Sequence, residues 1–304
     1  RGTTTISWAP TTSLTMPETG SVFAAATSLA GAITYAVTDA GTTGCTVDSA
    51  NRTISFTATG SCEVSATAAA NDQYQSISTS ATFVITKADQ TITITDPGSQ
   101  TYALGGTFSI SGTASSGLTV AFTSMTSLVC VVSGTTVTTM GAGTCTLLAV
   151  QPGNDDYNAA PQTSIDVTIN KAATTVTWSP TNTSVLTTDS PVTPDASPTV
   201  STGGGAVSYS IADAGGSGCT VDSSSGVISF TKSGACQVTA TAAETDDYQS
   251  GSATVTFTIT KATQTITFGS LTNQAFGTGP YAISGSTDAT GLVLSFSTTT
   301  PTVC

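Results

Sequence analysis

Two stretches of this sequence decide the fold, because they nearly repeat one another. Residues 44–76 read GCTVDSANRTISFTATGSCEVSATAAANDQYQS, and residues 218–250 read GCTVDSSSGVISFTKSGACQVTATAAETDDYQS. They are identical at 21 of 33 positions, and one offset of 174 residues relates Cys45 to Cys219 and Lys87 to Lys261. Self-similarity at a fixed period indicates an array of similar structural units.

Each 174-residue unit itself consists of two similar halves. The strings ITKA, INKA and ITKA place lysines at Lys87, Lys171 and Lys261, which are 84 and 90 residues apart. That spacing is close to the length of one seven-stranded β-sandwich domain. We therefore expect an A-B-A′-B′ array with these boundaries: 1–87 (A), 88–171 (B), 172–261 (A′) and 262–304 (B′, incomplete). On this division the chain is a fragment of a longer array.

Composition and local pattern predict an all-β chain. Only 8% of the residues are charged, and Thr, Ser and β-branched residues, which suit a pleated surface, recur throughout. No window shows a convincing helical period. In the first unit the predicted strands are Thr3–Trp8, Ile33–Val37, Cys45–Val47, Thr53–Phe56, Cys62–Ala68 and Ala81–Thr86, with turns at Asp48–Asn51 and Gly60–Ser61. Short strands at this density indicate a two-sheet sandwich with Greek-key connections.

Charge and missing residue types exclude several functions. Six basic against eighteen acidic residues give a net charge of −12, which argues against a nucleic-acid partner or a polybasic membrane site. No apolar run is long enough to span a bilayer. There is no histidine and no recognisable nucleophile or phosphate-binding motif, so we expect neither an enzyme nor a cofactor.

The cysteines predict one disulfide in each complete domain. The expected pairs are Cys45–Cys62, Cys130–Cys145 and Cys219–Cys236. Alternation along the strands lets both sulfurs of a pair point into one core. Closing a loop of about 15 residues stabilises a domain by about 3 kcal/mol in the chain-entropy model. Disulfides also require an oxidising compartment, so we expect an extracellular or cell-surface location.

Cys304 occupies the position of Cys130 in the sister domain, so its partner is expected about 15 residues further on and it is unpaired in this fragment. An intermolecular disulfide is the alternative. Zinc is disfavoured because histidine and C-x-x-C spacing are both absent.

An acidic loop before a recurring tyrosine is the one candidate ligand site. It reads NDQY at 71–74, NDDY at 154–157 and TDDY at 245–248. Oxygen-rich loops can hold Ca²⁺, and the candidate ligands are Asp72, Asp155, Asp156, Asp246 and Asp247. The alternative is an Asx-type turn followed by a tyrosine whose hydroxyl ties the corner of the sandwich.

Two further features have a structural and a functional interpretation. Trp8 and Trp178 are expected to pack in a core or a joint rather than to stack on sugars. Thr-rich strands such as Thr254–Thr260 follow from β propensity, with a ligand-binding face as the alternative.

The repeat resembles a known family of domains. The segments CTVDSSSGVISF at 219–230 and GACQVTATA at 234–242 resemble bacterial immunoglobulin-like repeats, which build the stalks of invasin- and intimin-type adhesins and very large surface or fibre proteins. The B units resemble cysteine-bearing relatives at 117–124, 143–145 and 154–160. The resemblance implies tandem immunoglobulin-like β-sandwiches and an envelope or secreted location in a bacterium.

These observations lead to a structural hypothesis. Linkers of about three residues predict a semi-rigid, beads-on-a-rod array, and low charge favours lateral self-association with further copies of the repeat. We therefore predict an extracellular stalk or filament segment. The alternative is an adhesin module that recognises a surface, glycan or host ligand.

Overall fold

Alternation of apolar and polar residues with a period of two, rather than helical periodicity, governs the architecture. The computed structural model describes residues 1–18, 20–300 and 302; Cys304 lies outside the described residues. Within them the protein has 26 β-strands, a single 3-10 turn at Thr187–Asp189 and no α-helix. The chain divides into two compact units, 1–172 and 173–304.

Seven strands of residues 1–87 form a two-sheet sandwich. They are β1 (Ser13–Thr15), β2 (Ser21–Val22), β3 (Ile33–Asp39), β4 (Thr46–Asp48), β5 (Thr53–Ser55), β6 (Gly60–Ala68) and β7 (Ile77–Thr86). One sheet has the order β1-β7-β6-β3 and the other β2-β5-β4. The chain crosses between the sheets after β1, β2, β3 and β5, which is an immunoglobulin-like topology.

Residues 88–171 repeat this plan. Their strands are β8 (Ile92–Thr95), β9 (Gln100–Thr101), β10 (Thr107–Ser109), β11 (Ser111–Ala114), β12 (Ala121–Ser124), β13 (Cys130–Ser133), β14 (Thr136–Thr139), β15 (Gly143–Val150) and β16 (Thr163–Asn170). These strands form a four-stranded sheet with the order β12-β15-β16-β9, a three-stranded sheet with the order β10-β14-β13 and a separate β8-β11 pair.

The second unit has the same plan, followed by one additional strand pair. Its strands are β17 (Val176–Thr177), β18 (Ser184–Leu186), β19 (Thr199–Val200), β20 (Val207–Asp213), β21 (Thr220–Val221), β22 (Ile228–Ser229), β23 (Gly234–Ala242), β24 (Gly251–Thr260), β25 (Ile266–Phe268) and β26 (Gly285–Thr287). The sheet β18-β24-β23-β20 corresponds to β1-β7-β6-β3, and β17-β19, β21-β22 and β25-β26 are separate pairs. The protein is therefore a tandem array of immunoglobulin-like β-sandwiches, as predicted.

In the first sandwich and in the equivalent one of the second unit, the core is built from alternate residues of the long strands around a tryptophan. In β6, Val64 and Ala66 are fully buried. Trp8 packs against Phe23 and Phe83 with ring centroids 5.8 and 6.3 Å apart. Fully burying an aromatic side chain such as Phe83 contributes about 1.5–3 kcal/mol.

Two local predictions for the first sandwich are wrong. Residues 3–8 do not form a strand. Gly2 forms an isolated bridge to Tyr74 and Ser7 another to Thr27, so this segment pairs with two different parts of the chain, each time through one residue. The predicted turn at Gly60–Ser61 is the beginning of β6; the bend lies at residues 57–59.

Residues 262–302 expose many large apolar side chains. Phe268 and Phe296 contact each other at 5.7 Å between ring centroids, yet about half of each side chain is exposed. The exposed set is Ile266, Phe268, Leu271, Phe276, Tyr281, Ile283, Leu292, Val293 and Phe296. By contrast Val120 and Phe122, which precede Cys130 as Leu294 and Phe296 precede Cys304, are buried in the sandwich of residues 88–171.

A disulfide joins the two sheets in each of the three sandwiches. Cys45 directly precedes β4 and bonds to Cys62 in β6, with Cα atoms 6.3 Å apart. The other two bonds are Cys130–Cys145 and Cys219–Cys236. All six cysteines are buried. Each bond therefore crosses the core between sheets that share few backbone hydrogen bonds.

Replacing Cys45 and Cys62 together by alanine is expected to lower the free energy of unfolding of the first sandwich by about 3 kcal/mol, because the unfolded chain regains loop entropy. Cys219 and Cys236 have the same separation of 17 residues, so their double replacement should cost a similar amount in the second unit. Urea denaturation followed by NMR, which reports each sandwich separately, measures both. An equal loss in the untouched sandwiches would contradict the local role.

Candidate functional site

The acidic loop before the recurring tyrosine is an Asx-type turn. In the first sandwich the Asn71 side-chain oxygen accepts the backbone N–H groups of Gln73 and Tyr74 at 3.0 and 2.8 Å. The Asn71 N–H in turn donates to the Tyr74 carbonyl at 3.1 Å. Asparagine side chains often stabilise turns in this way.

The same turn recurs in the other two sandwiches with one change of residue. The Asn154 side-chain oxygen accepts the N–H groups of Asp156 and Tyr157, both at 2.9 Å. In the third loop the hydroxyl oxygen of Thr245 replaces the amide and accepts the Tyr248 N–H at 3.2 Å. The three loops therefore share one backbone geometry despite different side chains.

The first two of these loops bind the segment that leads into their own sandwich. The Gly2 N–H donates to the Gln73 carbonyl at 2.7 Å, and the Gln75 N–H donates back to Gly2 at 3.1 Å. In the second sandwich the Ala88 N–H donates to Asp156 at 2.9 Å, and Asn158 donates to Ala88 at 2.8 Å. The loop is thus a clamp on the incoming chain.

Side chains reinforce the clamp where residues 87–90 enter the second sandwich. Lys87 Nζ donates to the Asn154 carbonyl oxygen at 2.6 Å. Gln90 is only 2% exposed, and its amide donates to the Gln151 side-chain oxygen at 2.9 Å and to the Asn158 carbonyl at 2.7 Å. Ser116 donates its hydroxyl to the Gln90 side-chain oxygen. This buried polar group is therefore satisfied on both its donor and its acceptor sides.

The calcium candidates lie on the surface of these loops. Asp72, Asp155 and Asp246 are exposed, and Asp156 and Asp247 are half-buried. Over the described positions, no group of three or more carboxylate, cysteine or histidine side chains converges. The Asn71 and Asn154 side-chain oxygens are already used by backbone N–H groups, so the turn by itself explains the loop.

The backbone N–H groups of the loop tyrosines Tyr74, Tyr157 and Tyr248 are bound within these turns, whereas the predicted alternative was a tie through the tyrosine hydroxyl. In the first sandwich a different tyrosine makes such a tie: the Ala26 N–H donates to the hydroxyl of Tyr35 at 2.7 Å. Tyr35 is buried in the core. Its position in a seven-residue strand gave no sequence signal for this role.

The Pro- and Gly-rich segment 190–205 is hydrogen-bonded to Trp178 and Thr181. The Trp178 indole N–H donates to the Ala196 carbonyl at 2.8 Å. The Asp195 carboxylate accepts the N–H of Thr181 at 2.7 Å and also its hydroxyl. The hydroxyl of Thr181, the larger cause, and this N–H lower the pKa of Asp195.

Two equivalent hairpin turns are closed by an aspartate. Asp222 accepts the hydroxyl and N–H groups of Ser224 and Ser225 at 2.7–3.0 Å. The hydroxyl of Ser224 contributes most to holding the pKa of Asp222 well below its usual range. In the first copy the Asn51 N–H and side-chain amide lower the pKa of Asp48 in the same way.

Comparisons with known proteins find only distant structural likenesses. No protein-family model matches the sequence, and no curated protein matches it. Domains EC1–3 of Drosophila N-cadherin are 13% identical with a TM-score of 0.31, covering 84% of this chain and 99% of that one. Titin domains I67–I69 are 16% identical with a TM-score of 0.34, covering 86% and 99%. Mouse cadherin-23 EC22–24 is 15% identical with a TM-score of 0.29, covering 86% and 100%. Scores this low carry no argument about function.

A search of the described residues for membrane-spanning helices finds none of sufficient length and apolar character.

Replacing Gln90 by leucine is expected to destabilise the sandwich of residues 88–171 by about 1–3 kcal/mol, because buried acceptors lose their donor. Hydrogen exchange of residues 87–91 should rise at the same time. Leucine in place of the exposed Gln162 is the matched control and should change stability by less than about 0.5 kcal/mol. Equal effects of the two changes would refute the clamp.

Acid is expected to destabilise both copies through their hairpin aspartates. Because the folded pKa of Asp222 is depressed, its stabilising effect is present above the unfolded pKa, near about 4, and is lost as the pH falls through the folded pKa. Asp222→Asn should flatten the acid dependence only in the second unit, and Asp48→Asn only in residues 1–87. Urea denaturation followed by NMR at pH 7 and pH 3 measures the acid dependence of each sandwich separately. If either variant changed the acid dependence of both copies equally, the prediction would be contradicted.

Proposed function

We propose that this chain is a structural segment of an extracellular stalk or filament, built from disulfide-stapled immunoglobulin-like sandwiches of the bacterial type. The proposal includes the division into domains 1–87, 88–171, 172–261 and a partial domain 262–304. The exposure of Phe296 supports the last assignment, since Phe122, which occupies the matching position before Cys130, is buried.

The observation that carries the proposal is the pairing of an early strand with the last strand of each sandwich. β1 runs parallel to β7, β9 to β16 and β18 to β24. Tension on the two ends of a sandwich pulls such partners in opposite directions along their length. The ladder hydrogen bonds are then loaded together in shear, rather than one after another.

The disulfides and the clamps add to this resistance. Each disulfide keeps the residues between its cysteines from extending when a sandwich opens. The contacts of Lys87 and Gln90 fasten the incoming chain to the sandwich that it enters. An array with these properties transmits force along the chain, as a stalk or fibre requires, and the buried disulfides fit an oxidising extracellular setting.

An adhesive module is the second candidate, and one surface favours it. Leu104 and Leu128 are 81% and 89% exposed, and Met125 and Met140 are also exposed. The bonds from Met140 to Val129 and from Thr139 to the Ala103 carbonyl place these loops side by side. Exposed apolar groups of this kind can contact a ligand.

Single-molecule pulling of the whole chain tests the structural role. We expect each sandwich to resist extension and to release about 60 Å more length after reduction, since about 17 locked residues extend by up to ~3.6 Å each. Leu14→Pro, which removes a backbone N–H from β1, should lower the unfolding force of one sandwich. Ser13→Pro is the neighbouring control. Unfolding at negligible force in the unmodified protein would refute the stalk and favour the adhesive module.

A further inference from the structure

The outer face of the sheet β18-β24-β23-β20 carries a regular array of small neutral side chains. On β24 the outward residues are Ser252, Thr254, Thr256, Thr258 and Thr260, all exposed. Their neighbours on β23 and β20 in the same rows are Ala235, Gln237, Thr239, Thr241, Ser208, Ser210 and Asp213. Hydroxyl groups therefore cover most of this face.

The matching faces of the two preceding sandwiches each have an acidic residue on a central strand, in one particular row. This row contains the residue that directly follows the cysteine of the long central strand, which is β6, β15 or β23. In the first sandwich it contains Glu63, which accepts the Ser80 hydroxyl at 2.6 Å. In the second it contains Asp166, which accepts the Thr146 hydroxyl at 2.7 Å. In the third it contains Gln237 opposite Thr256 on the two central strands, and Asp213 opposite Gln237 on the edge strand β20. The central strands β23 and β24 are therefore uncharged in this row, and its one carboxylate lies at the edge.

The strands of this third face contain a single residue that is charged at neutral pH, Asp213, at the end of β20. The chain as a whole has a net charge of −12, so two copies repel each other over most of their surface. Bringing two carboxylate-bearing faces together would add repulsion and a desolvation cost. Only the third face has no carboxylate on its two central strands, since Asp213 lies on the edge strand β20.

The hydroxyl groups make this face complementary to itself. A hydroxyl donates and accepts, so one array can pair with another copy of the same array. Thr239 and Thr254 already share such a bond across the strands, with their Oγ1 atoms 2.7 Å apart. Their methyl groups supply apolar contact, which acid-bearing faces would interrupt.

We propose that this hydroxyl face, on strands β18, β20, β23 and β24, packs against the same face of a second copy of the chain. The inference rests on the proposed stalk or filament role and names the surface through which neighbouring copies associate laterally.

The size of the face sets the strength of the contact. The four strands contain 29 residues. At a strand spacing of about 4.8 Å and a rise of about 3.3 Å per residue, they cover roughly 460 Å² per copy. A stable interface buries about 800 Å² per partner, so one contact is weak. Repetition along an array would add such contacts through effective concentration.

Cysteine trapping tests the contact at matched positions. Thr254→Cys and Thr256→Cys are placed on the hydroxyl face, and Ser80→Cys and Thr82→Cys at the same register of the first sandwich. All four are made in full chains carrying Cys304→Ser and oxidised with glutathione disulfide. We expect at least one hydroxyl-face cysteine to form disulfide-linked dimers tenfold or more faster than its matched control.

Adding Gln237→Glu to the trapped variant restores the charge of the sister face and should reduce the rate to that of the control. Equal trapping rates on the two faces, or a rate that Gln237→Glu leaves unchanged, would overturn the proposal. Melting curves of each variant verify folding. Because the pulling experiment reports strength along the chain, it fails or succeeds independently of this lateral contact.

Discussion

The bond between the two sheets of each sandwich is the constraint on which the rest of the structure depends. The long strand of each core contributes small residues, among them Ala66 and Ala68 in β6 and Ala240 in β23. Such side chains allow the sheets to approach closely but bury little apolar area each. In domains of fewer than 100 residues this leaves a thin core. A covalent link through that core fixes the position of one sheet on the other, and the hairpins on both sides are built around it.

With the sheets fixed, the loops at the ends of a sandwich can bind the segment of the same chain that enters it. The turn that contains Asn154 is closed by its own side chain, which leaves its backbone carbonyls free to accept Lys87 and Ala88. Polar residues of the incoming segment are buried only because the loop satisfies them, as Gln90 shows. The acidic residues of the loop remain at its surface. The recurrence of the loop is explained by the turn that Asn71, Asn154 and Thr245 close, and the charge of its aspartates contributes to the negative field of the chain.

The repeats are alike in architecture and differ in surface chemistry. Glu63 and Gln237 occupy the same register position on equivalent strands, and the exchange of a carboxylate for an amide leaves the backbone unchanged. The same holds for the turn residues Asn154 and Thr245. An array of this kind can vary its contacts from domain to domain without altering the fold, since outward residues of a strand take no part in the core.

The repeat, the all-β class and the cysteine pairing follow from the sequence, because identity at a fixed offset and alternation along long strands such as β6 and β7 are local signals. Short strands were not predictable: β1 and β2 have three and two residues, too few to show a period, and residues 3–8 have a strand-like pattern without a continuous partner. The burial of Gln90 and the clamp on residues 87–90 depend on a loop more than 60 residues further along the chain. Which outward residues face one another is also set by strand register, a long-range property. Sequence by itself therefore determined the class of fold and its covalent links, whereas tertiary structure decided the partners of each strand and loop, because those partners are distant in the chain and leave no local pattern.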